Sequence, residues 1–126
     1  MDREPRYYFA ASKLVIKSRN AFVFLDPSEI IRIEAKGHFT YFHTNKETYE
    51  TRGPIGGVEI TLKSKSFLRI SRFHIVNLDR VKMVEHWFPG QYRFVLDDGT
   101  VLIATRGYRD RVSAVLDSTL LSRSRD

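Results

Sequence analysis

The sequence predicts a mostly β fold of elongated, stacked antiparallel sheets, with about ten short strands, one short internal helix and a C-terminal helix. Three observations predict it. Short apolar and aromatic runs recur along most of the chain, each bounded by turn-forming residues. Two turn signals, Pro89-Gly90 and Asp98-Gly99, punctuate the C-terminal half. Helical spacing of apolar residues occurs in only two places, after Gly53-Pro54 and after Thr105.

Taken in order, residues 1–12 carry no clear periodicity and read as a leader or linker stub; residues 13–121 form the domain. Lys13–Lys17 and Ala21–Leu25 flank Ser18-Arg19-Asn20 and read as a β-hairpin. Asp26-Pro27-Ser28 ends that unit, because proline fixes φ and has no N–H to give to a ladder. Glu29–Ala35 alternates as a strand, with Ile31, Ile33 and Ala35 on one face and Arg32 and Glu34 on the other. The loop Lys36-Gly37-His38 leads into the aromatic strand Phe39–Thr44, and Asn45-Lys46 turns into Glu47–Arg52. Pro54 suits a helix start, and Ile55, Val58 and Leu62 recur at helical spacing. Gly56 and Gly57 would each cost that helix about 1 kcal/mol relative to alanine.

The stretch Phe67–Asn77 starts and ends in strand-like runs around a polar loop, Ser71-Arg72-Phe73. Strands are expected over Val81–Phe88, Gln91–Leu96 and Val101–Ala104. A terminal helix then places Tyr108, Val112, Val115, Leu116 and Leu120 on one face, and residues 122–126 are a polar tail.

Composition narrows the function. There are no cysteines, so no disulfide framework, thiolate metal site or cysteine nucleophile. The four histidines lack i,i+4 spacing and any acidic cluster, so no metal or other cofactor is expected. Asp97-Asp98 precedes Gly99 and is explained by turn chemistry. No set of nucleophile, base and orienting group stands out, and the chain is not expected to be an enzyme. No apolar run reaches the roughly 20 residues of a membrane helix, and the first residues lack a signal-peptide core. A cytoplasmic protein without a membrane partner is the expectation.

The net charge is +6, and four of those six excess positive charges fall in residues 36–80. A concentrated positive field draws polyanions, nucleic acid first. Three loops fit that partner. Lys36-Gly37-His38, Ser71-Arg72-Phe73 and Thr105-Arg106-Gly107 each follow an apolar strand and present a basic residue or a histidine. Arginine forks match the O6 and N7 acceptors of guanine, and histidine can donate or accept in a groove. The competing reading of Arg72 and Arg106 is a structural salt bridge, to Asp79 or Asp110 for example. His43, His74 and His86 read as structural.

An ordered set of residues resembles the LytTR DNA-binding domain. It comprises Ile33-Glu34-Ala35, Gly37-His38-Phe39-Thr40-Tyr41, Thr51-Arg52-Gly53, Phe67-Leu68-Arg69-Ile70 with Arg72, Ile75-Val76-Asn77, Tyr92-Arg93, Asp98-Gly99-Thr100, and Arg106 with Tyr108. The resemblance runs from about Leu14 to Leu116. It implies a bacterial transcription regulator, often a response regulator, whose strand-end loops enter successive major grooves of double-stranded DNA. Paired-repeat sites would bring two protomers onto one DNA. Carried over by position, the base-reading residues fall on His38, Arg72 and Arg106; their neighbours Lys36, Arg69 and Arg109 are the expected phosphate contacts. The chain departs from the family pattern at Ser71 and Phe73, at His74 and at Gly56-Gly57. It would be a stand-alone member or a fragment of a longer regulator. Two rival readings keep the β scaffold: a single-stranded nucleic-acid binder using Phe39, Tyr41 and Phe42, and a protein-interaction module.

Overall fold

A computed structural model of the chain describes residues 6–63 and 65–124, with side chains through residue 117. Among the described residues, eleven strands form three antiparallel sheets. The N-terminal sheet has the order β1(Tyr7–Ala10)-β2(Lys13–Ser18)-β3(Ala21–Leu25). The central sheet has the order β6(Thr48–Arg52)-β5(Phe39–Thr44)-β4(Ile30–Lys36)-β8(His74–Asn77)-β7(Phe67–Arg69). The C-terminal sheet has the order β11(Val101–Ala104)-β10(Tyr92–Leu96)-β9(Val81–His86). Helix α1 spans Ile55–Thr61 and α2 spans Arg109–Ser124; short 3-10 turns occupy Pro27–Glu29, Leu78–Arg80 and Arg106–Tyr108.

The mostly β expectation holds, with one strand more than counted from the sequence. That strand is β1, which falls in the segment expected to be a leader. It pairs with β2 from Tyr7↔Ile16 to Ala10↔Lys13 across a two-residue turn. Its turn lacks the usual signal because Ala11, not glycine or asparagine, takes the left-handed conformation (φ 54°). The next hairpin is also tighter than expected: Ser18 pairs with Ala21, leaving Arg19-Asn20 as the turn, with Arg19 at φ 54°. Strand β9 ends at His86, so Trp87 and Phe88 belong to the turn. Pro54 is the N-cap of α1. The backbone of α2 continues past Ser122, the expected start of the tail; residues 1–5, 125 and 126 and the side chain of Leu120 lie outside the description.

Two apolar cores sandwich the central sheet. Ile33, Phe42 and Ile75 face the first, with Leu14, Ile16 and Leu25 of the N-terminal sheet and Ile55 and Val58 of α1. Val76 faces the second, with Phe94 and Leu96 of the C-terminal sheet, Ala104 and Val112 of α2. Adjacent residues of β8 thus serve opposite cores, as strand alternation requires. A register shift between Ile30 and Arg32 breaks the alternation: Ile31 faces the second core, while Ile33, expected on the same face, joins Ile30 in the first. Buried Asn77 closes β8. Its Nδ2 donates to the Ile30 carbonyl (2.9 Å), and its Oδ1 accepts from the Asp79 N–H (3.0 Å).

Candidate nucleic-acid interface

The loops carrying His38, Arg72 and Arg106 come from distant parts of the sequence, and backbone hydrogen bonds join them into one row. The Ala35 N–H donates to the Phe73 carbonyl (2.8 Å), which sets the Ser71–Phe73 loop against the end of β4, next to Lys36-Gly37-His38. The Thr105 N–H donates to the Ile70 carbonyl (3.0 Å), drawing the turn that opens with Arg106 to the other flank of the same loop. The Gly53 N–H donates to the His38 carbonyl (3.0 Å), bringing the end of β6 to the outer side of His38.

His38 is exposed and shares a concavity with Gly37, Arg52, Gly53 and Pro54. Its ring enters no described hydrogen bond. Lys36 is exposed at the strand end and takes no described ion pair. Arg72 is exposed, with its guanidinium 5.4 Å from the Phe73 ring centroid. Arg106 is exposed and donates Nε to the Pro89 carbonyl (2.9 Å); its terminal nitrogens take no described partner. Neither carboxylate weighed as a salt-bridge partner touches them. Asp79 accepts from Ser66 Oγ (2.9 Å), and Asp110 lies 3.5 Å from Arg109 Nε. That pair is exposed on both sides, so Arg109 stays open to solvent.

Arg69 differs from the other five. Its side chain is only 16% exposed and paired with Glu59 (Nη1 to Oε1, 3.0 Å). Nε donates to the Ser71 carbonyl (3.0 Å) and Nη2 to the Arg72 carbonyl (2.8 Å). The guanidinium also stands 5.9 Å from the Tyr108 ring centroid. Arg111 completes the arrangement, 2.7 Å from Glu59 Oε2 and 4.9 Å from the Tyr108 centroid. Glu59 thus joins α1, β7 and α2 behind the loop row. Arg69 spends its donors inside the protein, on the backbone of the loop that displays Arg72.

Arg52, in the Thr51-Arg52-Gly53 segment, is a further basic residue on this surface. Cross-strand pairing sets it opposite Phe39, which also pairs with Lys36. Its guanidinium lies 5.6 Å from the Phe39 centroid, within the His38 concavity. The missed signal was register: the hairpin fold of β5 on β6 puts residue 52 beside residue 39.

Behind the row, the face of the central sheet opposite the first core carries a polar cluster. His43 Nε2 lies 2.9 Å from Glu34 Oε1 and Nδ1 lies 3.1 Å from Thr48 Oγ1, so a neutral imidazole protonated at Nε2 satisfies both neighbours. Arg32 Nη1 (3.5 Å) and His74 Nε2 (3.7 Å) also approach Glu34. Burial pushes the Glu34 carboxyl up, but the His43 hydrogen bond and the charges of Arg32 and His74 outweigh it, leaving it below its ordinary value. Burial lowers both His43 and His74. Both histidines are engaged with Glu34 in this cluster. Asp98 behaves as a turn residue, accepting the Thr100 N–H (2.9 Å).

Comparison with known proteins gives the family and the fold. The family model described as the LytTr DNA-binding domain matches residues 20–117. The chain belongs to the LytTR family. A solved LytTr DNA-binding domain from Bacillus cereus superposes with a TM-score of 0.75 at 21% identity, covering 85% of this chain and 98% of that one. The transcriptional regulatory protein LytR of Staphylococcus aureus N315 is 32% identical over 84 residues, 67% of this chain and 34% of that protein. The sensory transduction protein LytR of Staphylococcus epidermidis is 31% identical over the same length, 67% of this chain and 33% of that protein. The LytTR chain spans about a third of these curated relatives. No described helix is long and apolar enough to cross a membrane.

Proposed function

We propose that this LytTR domain binds double-stranded DNA sequence-specifically in transcription control, with its strand-end loops reading successive major grooves. The observation that carries the reading is the row of loops joined through Ala35–Phe73 and Thr105–Ile70, with His38, Arg72 and Arg106 exposed along it. In this proposal those three side chains contact base edges. Lys36 and Arg109 contact phosphate, fix register and supply salt-dependent affinity. Arg52, beside His38, joins the phosphate group. Arg69, expected from the sequence to touch phosphate, instead holds the Arg72 loop in shape. Paired half-sites would place two protomers on one DNA. As a soluble regulator the domain would act in the cytoplasm and would need no catalytic group or cofactor.

Selection of bound duplexes from a random library tests the reading, and a consensus is the expected result. On that consensus, Arg72→Ala and Arg106→Ala should each cost about 1–3 kcal/mol and relax selectivity at one base pair. Lys36→Ala should weaken all sequences alike and reduce the salt slope by about one unit. Recovery of unrelated sequences, or equal behaviour of the two mutant classes, would contradict it.

A further inference from the structure

The turn between β9 and β10 places an exposed aromatic pair directly beside Arg106. Trp87 is 49% and Phe88 61% exposed, and their rings meet edge to face with centroids 5.7 Å apart. Arg93 lies over the Trp87 ring (5.3 Å) and is itself paired with Glu85. The turn is fastened to Arg106 in two ways. The Pro89 carbonyl accepts Arg106 Nε (2.9 Å). Gly90, at φ 79°, lies so close that a Cβ there would stand 3.0 Å from Arg106 Cγ. The Arg106 side chain is therefore held against the turn that carries the aromatic pair.

We infer that Trp87 and Phe88 form an apolar contact to duplex DNA, lying against the deoxyribose and base edges that flank the position contacted by Arg106. The inference rests on the proposed function and adds a surface that charge and groove-matching did not point to. Two large apolar side chains exposed together mark an interaction site more often than a random surface does. Their occupant follows from their neighbours. Arg106 borders the turn with a positive charge that no described carboxylate meets, which suits a polyanion, and the turn continues the loop row at Arg106; the Arg93 charge is already met by Glu85. Aromatic and other apolar side chains that touch nucleic acid work through stacking or wedging on base and sugar, a contribution that releases no counterion. The pair should therefore add affinity without adding to the salt slope, unlike Lys36.

Trp87 is the sole tryptophan of the chain, so its fluorescence reports on this corner alone. Titration of the wild-type domain with a duplex recovered from the random library should quench and shift that emission. Heparin, which supplies charge without bases, should leave it nearly unchanged. Phe88→Ala should weaken the duplex at least about fivefold at an unchanged salt slope. Phe22→Ala, at an exposed aromatic of β3, should bind as wild type. Tight duplex binding with unchanged Trp87 emission, or with Phe88→Ala equal to Phe22→Ala, overturns the inference and leaves the base-reading role of Arg106 standing. Emission that shifts with protein concentration alone would assign the pair to a second copy and equally overturn it. Failure of the wild type to bind any duplex sinks both readings.

Discussion

At the scale of single residues, the six basic or histidine side chains expected at the DNA divide into two kinds. Five present their polar ends to solvent; Arg69 turns its own inward. The distinction depends on fork geometry, because Arg69 spans Glu59 and two carbonyls at once with donors fixed in a plane. Lysine keeps the charge and cannot reproduce that fork. Arg69→Lys is therefore expected to lose selectivity at the base pair read by Arg72, and about 1–2 kcal/mol of stability, while the salt slope stays unchanged. Binding isotherms at several salt concentrations and a denaturant melt would check it. A variant indistinguishable from wild type in both would return Arg69 to the phosphate contacts.

At the scale of elements, α1 is weak by composition and placed by packing. Gly56 and Gly57 are adjacent, yet their surroundings differ. A Cβ at Gly56 meets nothing within 4 Å, whereas one at Gly57 would stand 2.8 Å from Cε2 and Oη of Tyr7. Tyr7 cannot easily yield: its ring belongs to the first core, and its hydroxyl donates to the Pro54 carbonyl (2.5 Å). Gly57 is thus the notch into which β1 docks. Gly56→Ala should stabilise the fold by up to about 1 kcal/mol through helix propensity alone. Gly57→Ala should gain the same propensity and still destabilise, by about 1–3 kcal/mol, through the overlap with Tyr7. Chemical denaturation of the two variants should therefore move the midpoint in opposite directions.

For the molecule as a whole, stability should fall on mild acidification. His43 and His74 sit below their ordinary value of 6.5 in the folded chain, because burial disfavours the imidazolium. The unfolded chain therefore takes up protons that the native chain refuses. Their contribution is intact above about pH 6.5, the unfolded value, and is lost as pH falls from there through their lower folded values. Glu34, held below its ordinary 4.5, acts in the same direction at lower pH. The melting temperature should drop by a few degrees between about pH 7.5 and 5.5, and His74→Gln should flatten that slope. An equal drop in the variant would assign the acid sensitivity to other groups. The Glu34 cluster lies directly behind the loop row, so melting should be followed alongside DNA binding across the same range.

Local chemistry was enough to give the β class, most strand limits, the Gly99 turn and the positions of His38, Arg72 and Arg106, since alternation and turn residues act over a few neighbours. It failed where the decisive partner was distant. Ala11 adopts a left-handed turn with no glycine to announce it, so β1 was hidden until its pairing with β2 appeared. Arg69 looked like a free cation until β7, α1 and the Ser71–Phe73 loop came together around it. Trp87 and Phe88 extend an apolar strand run in the sequence, but β9 stops at His86. Sequence decided which residues carry charge and where the chain bends; tertiary structure decided which charges are already neutralised and which donors are already used, because an ion pair between residues 59 and 69 or a hydrogen bond between 106 and 89 exists only once separate elements are packed side by side.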